Sequence, residues 1–147
     1  YKKIMFSSII ISGPLAQDHE FIYPYYRLLE AKSKLEVCII GGKPVTGILG
    51  TTLPPNKDHL VKDIDQVNIK DYDLLVLPGG VKAMEKIRQD KRLIKFISDF
   101  YKEDKLWLEP LLRAVGKAAI KLVSGNGVLF LNEIGLLLKP NETKEIK

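Results

Sequence analysis

Four consecutive apolar residues, Leu74 to Leu77, stand between the polar triplet Asp71-Tyr72-Asp73 and the turn Pro78-Gly79-Gly80. A strand with one wet face would alternate apolar and polar residues, whereas an unbroken apolar run suits a parallel strand covered on both faces. Parallel strands need crossover connections, usually helices, so this short run predicts an α/β chain with helices on both sides of a mainly parallel sheet.

The remaining elements follow in a compatible order. Residues 3–11 are apolar and β-branched enough for a buried strand, stopped by Ser12-Gly13-Pro14. From Asp18 the spacing becomes helical, with Phe21, Ile22, Tyr25, Leu28 and Leu29 on or near one face, Asp18 as the expected N-cap and an end near Lys32. Residues 35–40 read as a second buried strand closed by Gly41-Gly42, and residues 43–68, rich in Gly, Pro and Thr, as small strands or a hairpin. Helices are expected over residues 81–88 and 90–101, the second turning Leu93, Ile94, Phe96, Ile97 and Phe100 toward a sheet. Residues 106–115 are a further candidate helix. Residues 118–123 read as a strand leading through Ser124-Gly125-Asn126-Gly127 into an apolar helix stopped by Gly135. No internal repeat interrupts this order, and 147 residues fit a single domain over residues 1–147 that buries about two thirds of its unfolded surface.

Composition narrows the function classes. A hydrophobic content of 46% and a charged content of 28% match globular averages, and no apolar run reaches the ~20 residues of a membrane span. The start YKKIMFSSIII places a basic pair before an apolar run, but Ser7 and Ser8 interrupt it and no small-residue cleavage site follows, so a first strand is the reading. The net charge of +5 comes from scattered lysines with acids nearby, which speaks against a nucleic-acid track. Cys38, the single cysteine, allows no internal disulfide and points to a reducing, cytoplasmic setting.

In an open α/β sheet, ligands bind outside the carboxyl ends of the strands, which brings three loops together: the one before Glu20, the Pro78-Gly79-Gly80 turn and residues 124–127. Glu20 falls in a first helical turn, where a carboxylate is favoured, and Pro24 four residues later cannot donate to its carbonyl and is expected to kink the helix. Gly80 lets the backbone approach a ligand, so its N–H is a candidate oxyanion donor. His19 and His59 lack metal-ligand spacing and are expected at the surface, and Cys38, in mid-strand, reads as a buried inert thiol. No metal is expected. Residues 12–17 hold one Gly and a Pro and no phosphate cradle, so no flavin or other cofactor is expected either.

The stretches QDHEFIYPYYRLLEA, DYDLLVLPGG, IRQDKRLIKFISDFYKEDK and GNGVLFLNEIGLL together resemble the PfpI/ThiJ family, relatives of the class I glutamine amidotransferases. The resemblance implies a flavodoxin-like three-layer α/β sandwich, a homodimer or larger assembly, and a small-molecule ligand or substrate. The family includes proteases, glyoxalase- or deglycase-type enzymes, stress proteins and catalytically silent members. Its site uses a Cys on an elbow after a strand, a Glu from the first helix and backbone oxyanion donors. Matched residue by residue, the Glu falls on Glu20 and the Pro-Gly-Gly donor on Gly80.

The elbow departs from the family pattern, which resembles Ala-Ile-Cys-His-Gly-Pro before an apolar helix. Anchoring on Ile134-Gly135-Leu136-Leu137 puts Gly127 on the family Gly, Asn126 on the residue after the nucleophile and Gly125 on the nucleophile itself. Gly125 and Asn126 are then candidate oxyanion or backbone positions. The resemblance also implies further carboxyl-terminal elements that residues 139–147 do not match. The expectation is a family pocket without its nucleophile. The alternative is an active family hydrolase whose Cys is absent from this sequence or replaced by Ser124, which would need a base in reach.

Overall fold

The computed structural model describes residues 7–104, in the order β1 (Ser7–Ser12), α1 (Asp18–Glu30), β2 (Lys34–Ile39), β3 (Val45–Thr46), β4 (Thr52–Leu53), β5 (Val61–Lys62), β6 (Leu74–Val76), α2 (Val81–Gln89) and α3 (Lys91–Asp104). Short 3-10 turns at Ile64–Gln66 and Ile69–Asp71 lead into β6. The expected helix over residues 106–115, the strand over 118–123 and the following turn and helix lie outside the described residues.

Four strands form one sheet in the order β5-β2-β1-β6, all parallel, with Ile10 of β1 opposite Val37 of β2 on one side and Val76 of β6 on the other. Both faces are covered, as the apolar run ending β6 demands. Ile10, Val37, Ile39 and Val76 pack with Phe21, Tyr25 and Leu28 of α1 and with Leu53 of β4. Ile9, Ile11, Cys38 and Leu77 pack with Met84, Ile87, Leu93, Ile97 and Phe100 of α2 and α3. Alternate residues of each strand thus feed opposite layers, the period of two that a pleated strand imposes. The result is the three-layer, flavodoxin-like α/β sandwich expected from the sequence.

The Gly-, Pro- and Thr-rich segment resolves into an antiparallel hairpin, β3 against β4 with Val45 opposite Leu53, and the edge strand β5. Two local expectations change. Leu29 is exposed, because Phe21, Tyr25 and Leu28 already fill the α1 face of the core. His59 is half-buried: its Nε2 lies 3.1 Å from the Leu35 carbonyl and its Nδ1 2.7 Å from the Tyr25 hydroxyl. The carbonyl can only accept, so Nε2 donates there and, in the neutral ring, Nδ1 accepts from Tyr25.

The chain leaves β1 through α1 toward β2 and β5, then returns to place β6 on the other side of β1. The strand order therefore reverses between β1 and β6. In sheets of this kind the crevice at such a reversal, outside the carboxyl ends of the strands, is where ligands bind.

Candidate functional site

The loops leaving β1 and β6 meet at that crevice. Gly80 caps α2 with φ +123°, and a methyl group built on it would stand 2.9 Å from both Ala16 Cα and the Leu15 carbonyl oxygen and 3.0 Å from Gln17 N. Only a residue without a side chain adopts this backbone and lets residues 15–17 lie so close. The Gln17 N–H donates to the Gly79 carbonyl at 2.9 Å and joins the two loops.

Glu20, half-buried at the third position of α1, reaches back over this junction. A methyl group built on Gly79 would lie 2.7 Å from one oxygen of the Glu20 carboxylate and 3.0 Å from the other. The space that a side chain at Gly79 would fill is thus the space the carboxylate occupies. Because Gly80 begins α2, the carboxylate sits where the first turns of α1 and α2 converge, each with N–H groups that lack partners within their own helix. Pro24 leaves α1 unbroken from Asp18 to Glu30, although it withholds an N–H from the Glu20 carbonyl.

Asp18 departs from its expected part. The N-cap is Gln17, which makes no side-chain cap bond, and Asp18 is the first helical residue, 1% exposed. Its Oδ1 accepts from Leu49 N–H at 2.8 Å and its Oδ2 from Thr51 N–H at 3.1 Å. Burial, the largest single influence, pushes this carboxyl up. The bonds from Leu49 N–H, the Thr51 hydroxyl and Thr51 N–H together outweigh it, so the group rests below its ordinary range. The Asp that sequence spacing marks as a helix cap is instead the anchor of the β3–β4 turn. Gly47 makes room for it, since a methyl group there would stand 2.5 Å from Asp18 Cγ.

Of the residues singled out in sequence, Glu20 and Gly80 come together, with Gly79 between them as the residue directly under the carboxylate. Ser124, Gly125 and Asn126 lie outside the described residues. His19 is exposed beside Glu20, while His59 is committed to Tyr25 and Leu35. Cys38 is 1% exposed, and burial, followed by the nearby carboxylates of Asp63 and Asp90, pushes its thiol up to about 12. It is chemically quiet at neutral pH. Among the described residues no group of three or more His, Cys, Asp or Glu is arranged to hold a metal ion, and no helix is long and apolar enough to cross a membrane.

Comparison with known proteins bears on the family and the fold. The chain is 33% identical over 97 residues to a deglycase of Pyrococcus abyssi, a match covering 66% of this chain and 55% of the relative. It is 30% identical over 97 residues to the deglycase PfpI of Pyrococcus furiosus, with the same coverage. The match thus spans about half the length of these relatives. Among solved structures, DJ-1beta of Drosophila melanogaster superposes with a TM-score of 0.59 at 22% identity, covering 68% of this chain and 52% of that one, which speaks to the fold. The sequence profile of the DJ-1/PfpI family matches residues 7–129. The chain belongs to the DJ-1/PfpI family.

Proposed function

We propose that this chain carries the floor of a small-molecule site in which Glu20 accepts a hydrogen bond from a ligand hydroxyl or amine and the Gly79-Gly80 backbone faces the neighbouring carbonyl. The observation that carries this reading is the Glu20 carboxylate lying over Gly79 at the reversal of strand order. An acceptor beside a glycine backbone suits an α-hydroxy carbonyl group, the pattern found in early adducts of sugars and dicarbonyls. The deglycase names of the Pyrococcus relatives support that ligand class. With glycine at the position matched to the nucleophile, Gly125, the site binds without forming a covalent bond.

The test is titration of the full chain with hydroxyacetone, the smallest α-hydroxy ketone, followed by NMR. Glu20 and Gly79 signals should shift saturably, and Glu20→Gln should remove the effect. Equal shifts in that variant would refute the reading. The deglycase relatives also favour a second reading, turnover through Ser124. Release of thiol from the adduct of methylglyoxal with N-acetylcysteine, lost in Ser124→Ala, would establish it in place of the silent site.

A homodimer belongs to the same proposal. Tyr23 and Tyr26 are 59% and 47% exposed on α1, an aromatic surface larger than a helix facing water needs. Sedimentation of Tyr23→Asp/Tyr26→Asp should show a monomer where the parent chain is larger, and identical profiles would remove this face from consideration.

A further inference from the structure

Helix α1 begins without the side-chain cap that ordinarily fixes a first turn, since Gln17 makes none. Tertiary bonds take over that task from two sides. On one side the Gln17 N–H is bound to the Gly79 carbonyl and Gly80 is pressed against residues 15–17. On the other, the β3–β4 turn is stitched to the same segment: Leu15 N–H donates to Thr46 O at 2.9 Å and Ile48 N–H to Ala16 O at 3.0 Å. Leu15 itself holds φ +58°, a left-handed conformation uncommon for a residue with a side chain, so the segment is held in place by its neighbours.

Asp18 brings a charged side chain into this stitching. It is nearly fully buried, and both of its carboxylate oxygens are engaged by the turn over residues 47–51. Asp18 and Glu20 are two residues apart, about 200° around the helix at 100° per residue, so they project to opposite sides of one helical turn. Asp18 reaches the hairpin turn and Glu20 reaches Gly79. Any rotation of that turn that releases Asp18 also carries Glu20 off its glycine.

We propose that Asp18 is a positioning residue, whose grip on Leu49 and Thr51 fixes the rotation of the first turn of α1 and thereby holds the Glu20 carboxylate over Gly79. The proposal rests on the reading of Glu20 as the ligand-binding carboxylate. It also gives the hairpin a function: the turn over residues 47–51 is the outer wall against which the site is braced.

The experiment uses the full chain and the nuclear Overhauser contact between the Glu20 γ-methylene and the Gly79 α-protons, with hydroxyacetone as probe. Asp18→Asn keeps the size of the side chain and removes the charge and one acceptor. It should erase or strongly weaken the Glu20–Gly79 contact and weaken hydroxyacetone binding roughly tenfold. The contacts between β1 and β6 should persist. Thr51→Val, which removes only the hydroxyl bond to Asp18, should move both readouts in the same direction by less, and it serves if Asp18→Asn does not fold. Unchanged Glu20–Gly79 contact in the folded variants would overturn the positioning role. If the contact is lost in Asp18→Asn while Glu20→Gln binds hydroxyacetone normally, positioning stands and the ligand reading falls.

Discussion

Replacing Gly47 by Ala tests the link between the hairpin and the site. A methyl group at this buried position would stand 2.5 Å from Asp18 Cγ and 2.6 Å from each carboxylate oxygen, well inside contact distance. The atoms it meets cannot simply swing away, because the two oxygens hold Leu49 N–H at 2.8 Å and Thr51 N–H at 3.1 Å. Relief requires the carboxylate to abandon these donors or the turn to move away from α1. Hydrogen bonds to a charged group contribute about 1.5–3 kcal/mol each, so losing two costs about 3–6 kcal/mol. For a chain of this size the melting temperature should fall on the order of 10 °C. The assay is urea unfolding of the parent, Gly47→Ala, Asp18→Ala and the double variant. Once Asp18 is Ala the added methyl meets no carboxylate, so Gly47→Ala should cost roughly 1 kcal/mol or less in that background, a strong coupling in the double-mutant cycle. Additive effects, or a stable Gly47→Ala single variant, would refute the reasoning.

Two further outcomes follow from the charges inside the fold. Asp18 titrates below its unfolded value, so its stabilisation is complete above about pH 4 and is lost as pH falls through the folded value. Stability measured from pH 6 downward should therefore decline more steeply in the parent than in Asp18→Asn, and parallel curves would contradict the bonds drawn to Leu49 and Thr51. Cys38, buried and with its thiol pushed up to about 12, should react with iodoacetamide at pH 8 only after denaturation. Stoichiometric labelling of the native chain within minutes would show that the packing around β2 is wrong.

The layered fold was legible because its signals are local. The apolar run ending at Leu77 announces a two-sided strand, and the spacing of Phe21, Tyr25 and Leu28 announces which face of α1 is covered. Glu20 and Gly80 could be named because a first-turn acid and a Pro-Gly-Gly turn are both short motifs. What escaped depends on partners far apart in sequence. Asp18 has the look of an N-cap, since an Asp before an apolar helical run ordinarily is one, yet its donors lie 31 and 33 residues away in a segment without periodicity. His59 finds Tyr25 across 34 residues, and no spacing rule links them. Gly79 was overshadowed by Gly80: the sequence offers both to a ligand, and only the folded chain distinguishes the glycine that packs on residues 15–17 from the one beneath the carboxylate.

Gly79→Ala tests the central claim most directly, because it adds one methyl group in the place the Glu20 carboxylate occupies. That carboxylate is the far end of a flexible side chain, so the account predicts an intact fold, with melting within about 3 °C of the parent, and loss of at least roughly tenfold in hydroxyacetone affinity. Undiminished binding in a folded Gly79→Ala variant would contradict the assignment of Glu20 over Gly79 as the site.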